Sequence, residues 1–173
     1  MVEVTVERLG LDSSSNSYVV ILREKDGRRL LPIWIGQPEA ESILMQMNQV
    51  KQLRPQTHDL CKALITALGG SLRRVAITRV HKNTYFAELQ VESSAGWVQI
   101  DARPSVSIAI ALRFDAPIFA DESLLGVLDP NGDDAREDSD PLFMAPPREE
   151  MTAEQLKAYL ATLRPEDFGK FTP

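Results

Sequence analysis

Val2, Val4 and Val6 alternate with polar residues at the head of the chain, the period-two pattern of a strand with one buried face. The turn-forming stretch 13–17 separates them from 18–24, an apolar run that reads as a second strand antiparallel to the first. Asp26-Gly27 then signals a hairpin, because glycine tolerates the positive φ of a tight two-residue turn, and leads into a third strand within 28–36. Pro32 removes a ladder donor, so this strand is expected at a sheet edge or at a bulge.

Helical spacing takes over at Pro38, a residue suited to a first helical turn, and continues through Ala40, Ile43, Leu44 and Met47 to Gln49. A second helix follows 54–57, with Thr57 as its expected N-cap; Leu60, Leu64 and Leu68 line one face until Gly69-Gly70 stops it. Three strands come next, at 72–80, 84–91 and 96–101, joined by links short enough for antiparallel neighbours. A third helix opens at Pro104, and its stretch 107–114 leaves hardly any polar face, which predicts burial nearly all round. Asp115 and Pro117 end it, and 117–120 makes a last short strand. This order lacks the strand–helix alternation of a doubly wound parallel sheet. The expected class is α+β, a mostly antiparallel sheet with three helices packed on it.

Composition adds bounds. The 173 residues are 43% hydrophobic and 25% charged, enough for one domain with a real core. A single cysteine, Cys61, excludes an internal disulfide, and with only His58 and His81 a structural Cys/His zinc site cannot be assembled. No apolar run approaches the roughly 18 residues of a membrane span, and the first ten residues lack a signal core, so no membrane association is expected and the cytosol is the default location. The net charge of −6 is unevenly shared: residues 1–120 hold 14 Lys and Arg against 12 Asp and Glu, whereas 121–173 hold 5 against 13. The chain is therefore expected to divide into a main domain at 1–125, an acidic linker at 126–150, too poor in large apolar residues to repay its ordering, and a C-terminal helix and tail at 151–173. In that last piece Leu156, Tyr159, Leu160 and Leu163 share a helical face, and Thr152 and Gln155 have capping-box spacing.

No Gly-rich phosphate loop, dinucleotide fingerprint, His-Glu-x-x-His helix or Gly-x-Ser-x-Gly elbow is present. Polar groups concentrate instead at two helix starts. Residues 54–59 set Arg54, His58 and Asp59 around a helix N-terminus, whose free N–H groups attract anions. Residues 101–105 repeat the arrangement with Asp101, Arg103 and Ser105; strand periodicity points Asp101 and Arg103 to one side if the extended geometry persists to Pro104. Such a pair suits a divalent ion or a phosphate, and equally a fixed ion pair. His58 and Cys61, three apart on one helix, meet the minimum for an activated thiolate, although a cysteine on a Leu-rich helix is more often core filler. Arg73, Arg74, Arg79 and Lys82, with Tyr85 and Trp97, read as a solvated sheet face before a surface for single strands.

Four segments in order, 31–43, 54–60, 101–105 and 110–119, closely resemble the bifunctional nuclease domain family over about residues 1–125, and 163–168 resembles the C-terminal end of some members. The resemblance implies a compact α+β domain, cytosolic, usually self-associated, with members that cut RNA and DNA. Carried onto matching positions, it marks Glu39, Arg54, His58, Asp59, Asp101, Arg103 and Ser105. One departure stands out: where the family commonly continues with Asp-Ala after the 101–105 motif, this chain has Val106-Ser107, so a carboxylate in the first turn of the third helix is missing. The resulting expectation is a phosphodiesterase acting on RNA and/or DNA. In it Glu39, Asp59 and Asp101 hold Mg²⁺ or Mn²⁺, Arg54, Arg103 and Ser105 meet the phosphate, and His58 moves a proton. The alternative is a non-catalytic oligomeric adaptor or small-anion binder, favoured by Val106 and by the modest charge of the main domain. In either case the acidic stretch 128–150 is expected to compete with nucleic acid for Arg54 or Arg103.

Overall fold

The computed structural model describes residues 1–12 and 17–126. Seven strands form one sheet: β1 (Val2–Asp12), β2 (Ser17–Glu24), β3 (Leu30–Ile35), β4 (Ser71–His81), β5 (Thr84–Ser93), β6 (Gly96–Ala102) and β7 (Ile118–Ala120). Their order across the sheet is β3-β2-β1-β7-β4-β5-β6. All neighbours are antiparallel except β7 and β4, which run parallel. The α+β expectation therefore holds for the main domain, while the acidic linker and C-terminal helix lie outside the described residues. Pro32 sits in β3, an edge strand, as its missing donor requires. The hairpin after β2 forms, but not through a two-residue turn. Residues 25–29 make a longer loop in which the Glu24 N–H donates to Arg29 O, and Gly27 has no positive φ because five residues close the reversal without one.

Three helices, α1 (Gln37–Met47), α2 (Thr57–Ala67) and α3 (Pro104–Phe114), pack over the core-facing side of the sheet. Pro38 occupies the first turn of α1 and Pro104 that of α3, where a missing N–H costs nothing. The N-cap of α2 is Gln56 rather than Thr57: the backbone turns helical one residue earlier, and the Asp59 carboxylate, three residues on, accepts the Gln56 N–H at 2.8 Å. Gly69, at φ +76°, ends α2, and Asp115, at φ +52°, ends α3. As its composition requires, α3 is buried along most of its length, with Ile108, Ala109 and Ala111 fully covered. Its last turn carries Arg113, and a charge inside an apolar layer determines what surrounds it. Among the described residues no helix is long and apolar enough to cross a membrane.

Candidate active site

Arg113 is 5% exposed and fully engaged. Its Nε donates to Asp59 Oδ1 at 2.5 Å, Nη1 to Ala109 O at 2.9 Å, and Nη2 to Ser42 Oγ at 3.0 Å. Ser42, buried on α1, stands in turn 2.8 Å from His58 Nδ1. One polar seam thus joins all three helices, from Asp59 through Arg113 and Ser42 to His58. Lys62 adds a bond from Nζ to the Arg113 carbonyl, one of the acceptors that the end of α3 leaves free.

The seam sets the protonation states. Burial, and then the Arg113 guanidinium, push the His58 imidazole below its ordinary value near 6.5, so the ring is neutral at pH 7; the nearby Glu39 and Asp59 charges oppose the shift. Burial pushes the Asp59 carboxyl up, but the Gln56 N–H and the Arg113 guanidinium outweigh it and hold the group below the usual carboxylate range. Asp59 is an anion with both oxygens occupied.

A second charged element lies at the helix starts. Glu39, in the first turn of α1, meets Arg103 Nη1 at 3.2 Å, which links the reversal before α1 to the one before α3. The Glu39 side chain is largely covered, while Arg103 is 69% exposed and presents its guanidinium to solvent. A third element is a pocket of about 400 Å³ between the end of α1, the following loop and the start of α2. Its walls include Lys51, Arg54 and Gln56 together with the Asp59–Arg113 pair, and Met45 and Val50 supply apolar surface.

The structure therefore gathers Glu39, His58, Asp59 and Arg103 around the helix layer and places Arg54 at the adjoining pocket. Ser105 is buried in the first turn of α3. Asp101 does not join them. In the β5–β6 register it stands opposite Glu88, while Ala102 and Ile100 stand opposite Ala87 and Leu89 of the core, so Asp101 occupies the sheet face away from the helices. The expectation that Asp101 and Arg103 share a side fails for a local reason. The strand ends at Ala102, and Arg103, at φ −65° and ψ 142°, is already the N-cap of α3, from where its long side chain reaches Glu39.

That geometry bears on the expected Mg²⁺ or Mn²⁺ site. Glu39 is paired with Arg103, Asp59 accepts from the Gln56 N–H and from Arg113, and Asp101 is on the other face; among the described residues no three His, Cys, Asp or Glu side chains stand where they could hold a metal ion together. The three carboxylates do not fit a common metal. Arg113, Ser42 and Lys51 are absent from the sequence reading. Arg113 left a signal: a single cation in a helix predicted to be buried all round demands a buried anion.

A family model described as the bifunctional nuclease domain matches residues 20–129. An uncharacterized protein of Mycobacterium tuberculosis is 39% identical over 171 residues, covering 97% of this chain and 98% of that protein, so the likeness runs on through the residues after 129. Bifunctional nuclease 2 and bifunctional nuclease 1 of Arabidopsis thaliana are 34% and 30% identical over 110 and 109 residues; each match covers 61% of this chain, and 33% and 34% of the respective plant proteins.

Proposed function

The chain belongs to the bifunctional nuclease domain family, and on that footing we propose that it is a phosphodiesterase acting on RNA or DNA. The observation that carries the reading is the Glu39–Arg103 pair, which ties two helix starts together beside a buried, neutral His58 and leaves the Arg103 guanidinium facing solvent.

A phosphodiester needs charge neutralised at its non-bridging oxygens and a proton taken from the attacking oxygen. Arg103, anchored by Glu39, is the first phosphate contact, and Arg54 with Lys51 at the pocket rim receives a neighbouring phosphate or nucleotide. His58 is the proton acceptor: it is neutral at pH 7, its Nδ1 is fixed by Ser42, and the Glu39 charge stabilises the imidazolium that proton transfer creates. Arg113 and Asp59 act through their neighbours and are positioning residues.

The test incubates purified protein with single-stranded RNA and with single-stranded DNA, each with and without Mn²⁺ or Mg²⁺. Cleavage is expected to fall at least a hundredfold in His58→Ala. Arg103→Ala should weaken substrate binding with only a small drop in melting temperature, the drop reflecting the largely covered Glu39 carboxylate left without its partner. Cleavage no higher than in these variants under every metal condition would end the nuclease reading. A second reading, a non-catalytic anion-binding module, draws on the lack of a shared carboxylate site. Calorimetric binding of an uncleaved oligonucleotide that disappears in Arg54→Ala would favour it.

A further inference from the structure

The outer flank of α2 is apolar and uncovered. Leu60, Leu64 and Leu68 recur every four residues and are 52%, 53% and 81% exposed, with Ala67 exposed between them. At 100° per residue they fall on the flank opposite Asp59 and Lys62, which reach α3, and beside His58, Cys61 and Ile65, which face the core. The end of α2 sits over β5: a Cβ built on Gly70 would lie 3.1 Å from Val91 Cγ1 and 3.2 Å from Ile65 Cγ2. Opposite Val91, on the helix side of the edge strand β6, Val98 is exposed too. A helical stripe of this kind normally marks a face that packs on something.

We propose that this face is covered by the chain's own C-terminal segment, residues 152–163, packed along α2 as an amphipathic helix. Three observations select that occupant. The segment presents Leu156, Tyr159, Leu160 and Leu163 on one face, a stripe about 10 Å long at 1.5 Å per residue, against about 12 Å from Leu60 to Leu68. The tether has the right length. Gly126 pairs with Leu30 beyond the edge strand β3, about 25–30 Å from β4 and β5 at the usual strand spacing. Residues 127–151 are 25 in number, and at up to about 3.3 Å per residue a chain of that length can bridge this distance. Finally, the mycobacterial relative shares this stretch, whereas the plant matches cover only 61% of the chain. The inference is independent of the nuclease reading.

Cysteine cross-linking in the full chain tests it. Cys61→Ala removes the native thiol, and Leu64→Cys with Leu160→Cys then places one thiol at the middle of each stripe, a pairing that works for either helix direction. Mild oxidation should give a disulfide within one chain in most molecules. Moving the first thiol to Leu53, a fully exposed position off the flank, should abolish it. Adding Leu156→Asp and Leu163→Asp to the cross-linking pair should reduce its yield at least tenfold. A disulfide found only between chains would assign the face to a second copy and overturn the proposal. No disulfide, or one formed equally well from Leu53→Cys, would overturn it as well.

Discussion

Arg113 and Arg73 are both paired arginines, one in the helix layer and one on the open side of the sheet. Arg113 is 5% exposed and donates to Asp59, Ser42 and Ala109. Arg73 is 55% exposed and donates to Glu92 at 2.6 Å. The contrast extends to their surroundings: the seam links three helices, while the open face pairs strand neighbours, Arg74 with Gln90 and Gln99 with Glu88. Desolvation makes the difference. A buried cation without its anion leaves a charge that water cannot reach, whereas an exposed one is rehydrated at once. The helix layer is thus where charge fixes geometry, and the open face is where charges pair within reach of water.

Removing one partner of the seam is the strongest way to break this comparison. Arg113→Met should lower the unfolding free energy by about 3 kcal/mol, at the low end for a buried pair because Asp59 is one-third exposed. Asp59→Asn added to it should return part of the loss, showing that the two side chains are coupled. Urea denaturation measures both. A loss below about 1 kcal/mol would put the seam on the same footing as a surface pair.

Acid sharpens the contrast next, through His58. Its pKa is lower in the folded chain than the unfolded value near 6.5, so on acidification the unfolded state takes up the proton first. The stability this contributes is complete above about pH 6.5 and is lost as pH falls from there through the folded value; Asp59 adds its own loss below about 3.8. Urea midpoints at pH 7 and pH 5.5 should therefore differ in the native protein and differ less in His58→Gln. Because burial is the larger cause and Arg113 the second, Arg113→Met should reduce the slope without abolishing it. An equal slope in His58→Gln would move the titration elsewhere.

What could be foreseen from the sequence follows the same division. Alternation and turn chemistry were enough for the strands, Pro32 for an edge, and the apolar run 107–114 for a buried helix, because each is a local pattern. The parallel insertion of β7 between β1 and β4 was not visible, since three residues carry no sign of their partners. At the site, the meeting of Glu39 with Arg103 depends on two reversals 64 positions apart, and the departure of Asp101 on the register of β6 against β5. Asp59 was legible as a helix-start acid but not as the partner of Arg113, because helix periodicity says which face is buried and not what faces it.

A smaller effect comes from Ser107, fully buried on α3 with its Oγ lacking a hydrogen-bond partner. Ser107→Ala deletes a hydroxyl that folding strips of water without return and improves helix propensity, so it should raise stability by about 1 kcal/mol. A loss of stability would mean that the hydroxyl has an acceptor after all.

The smallest effect belongs to the open face. Arg73→Ala gives up one exposed pair with Glu92, and an isolated pair of that kind contributes about 0–1 kcal/mol. The change should stay within about 0.5 kcal/mol, as for most surface substitutions, and should vanish when salt is raised to 1 M, where screening acts over about 3 Å. The Arg113→Met loss should persist at that salt, since the low-dielectric helix layer excludes the ions that screen. Measuring both variants at low and high salt separates burial from pairing: two losses that shrink together would mean that the helix layer admits solvent and that its seam is an ordinary surface network.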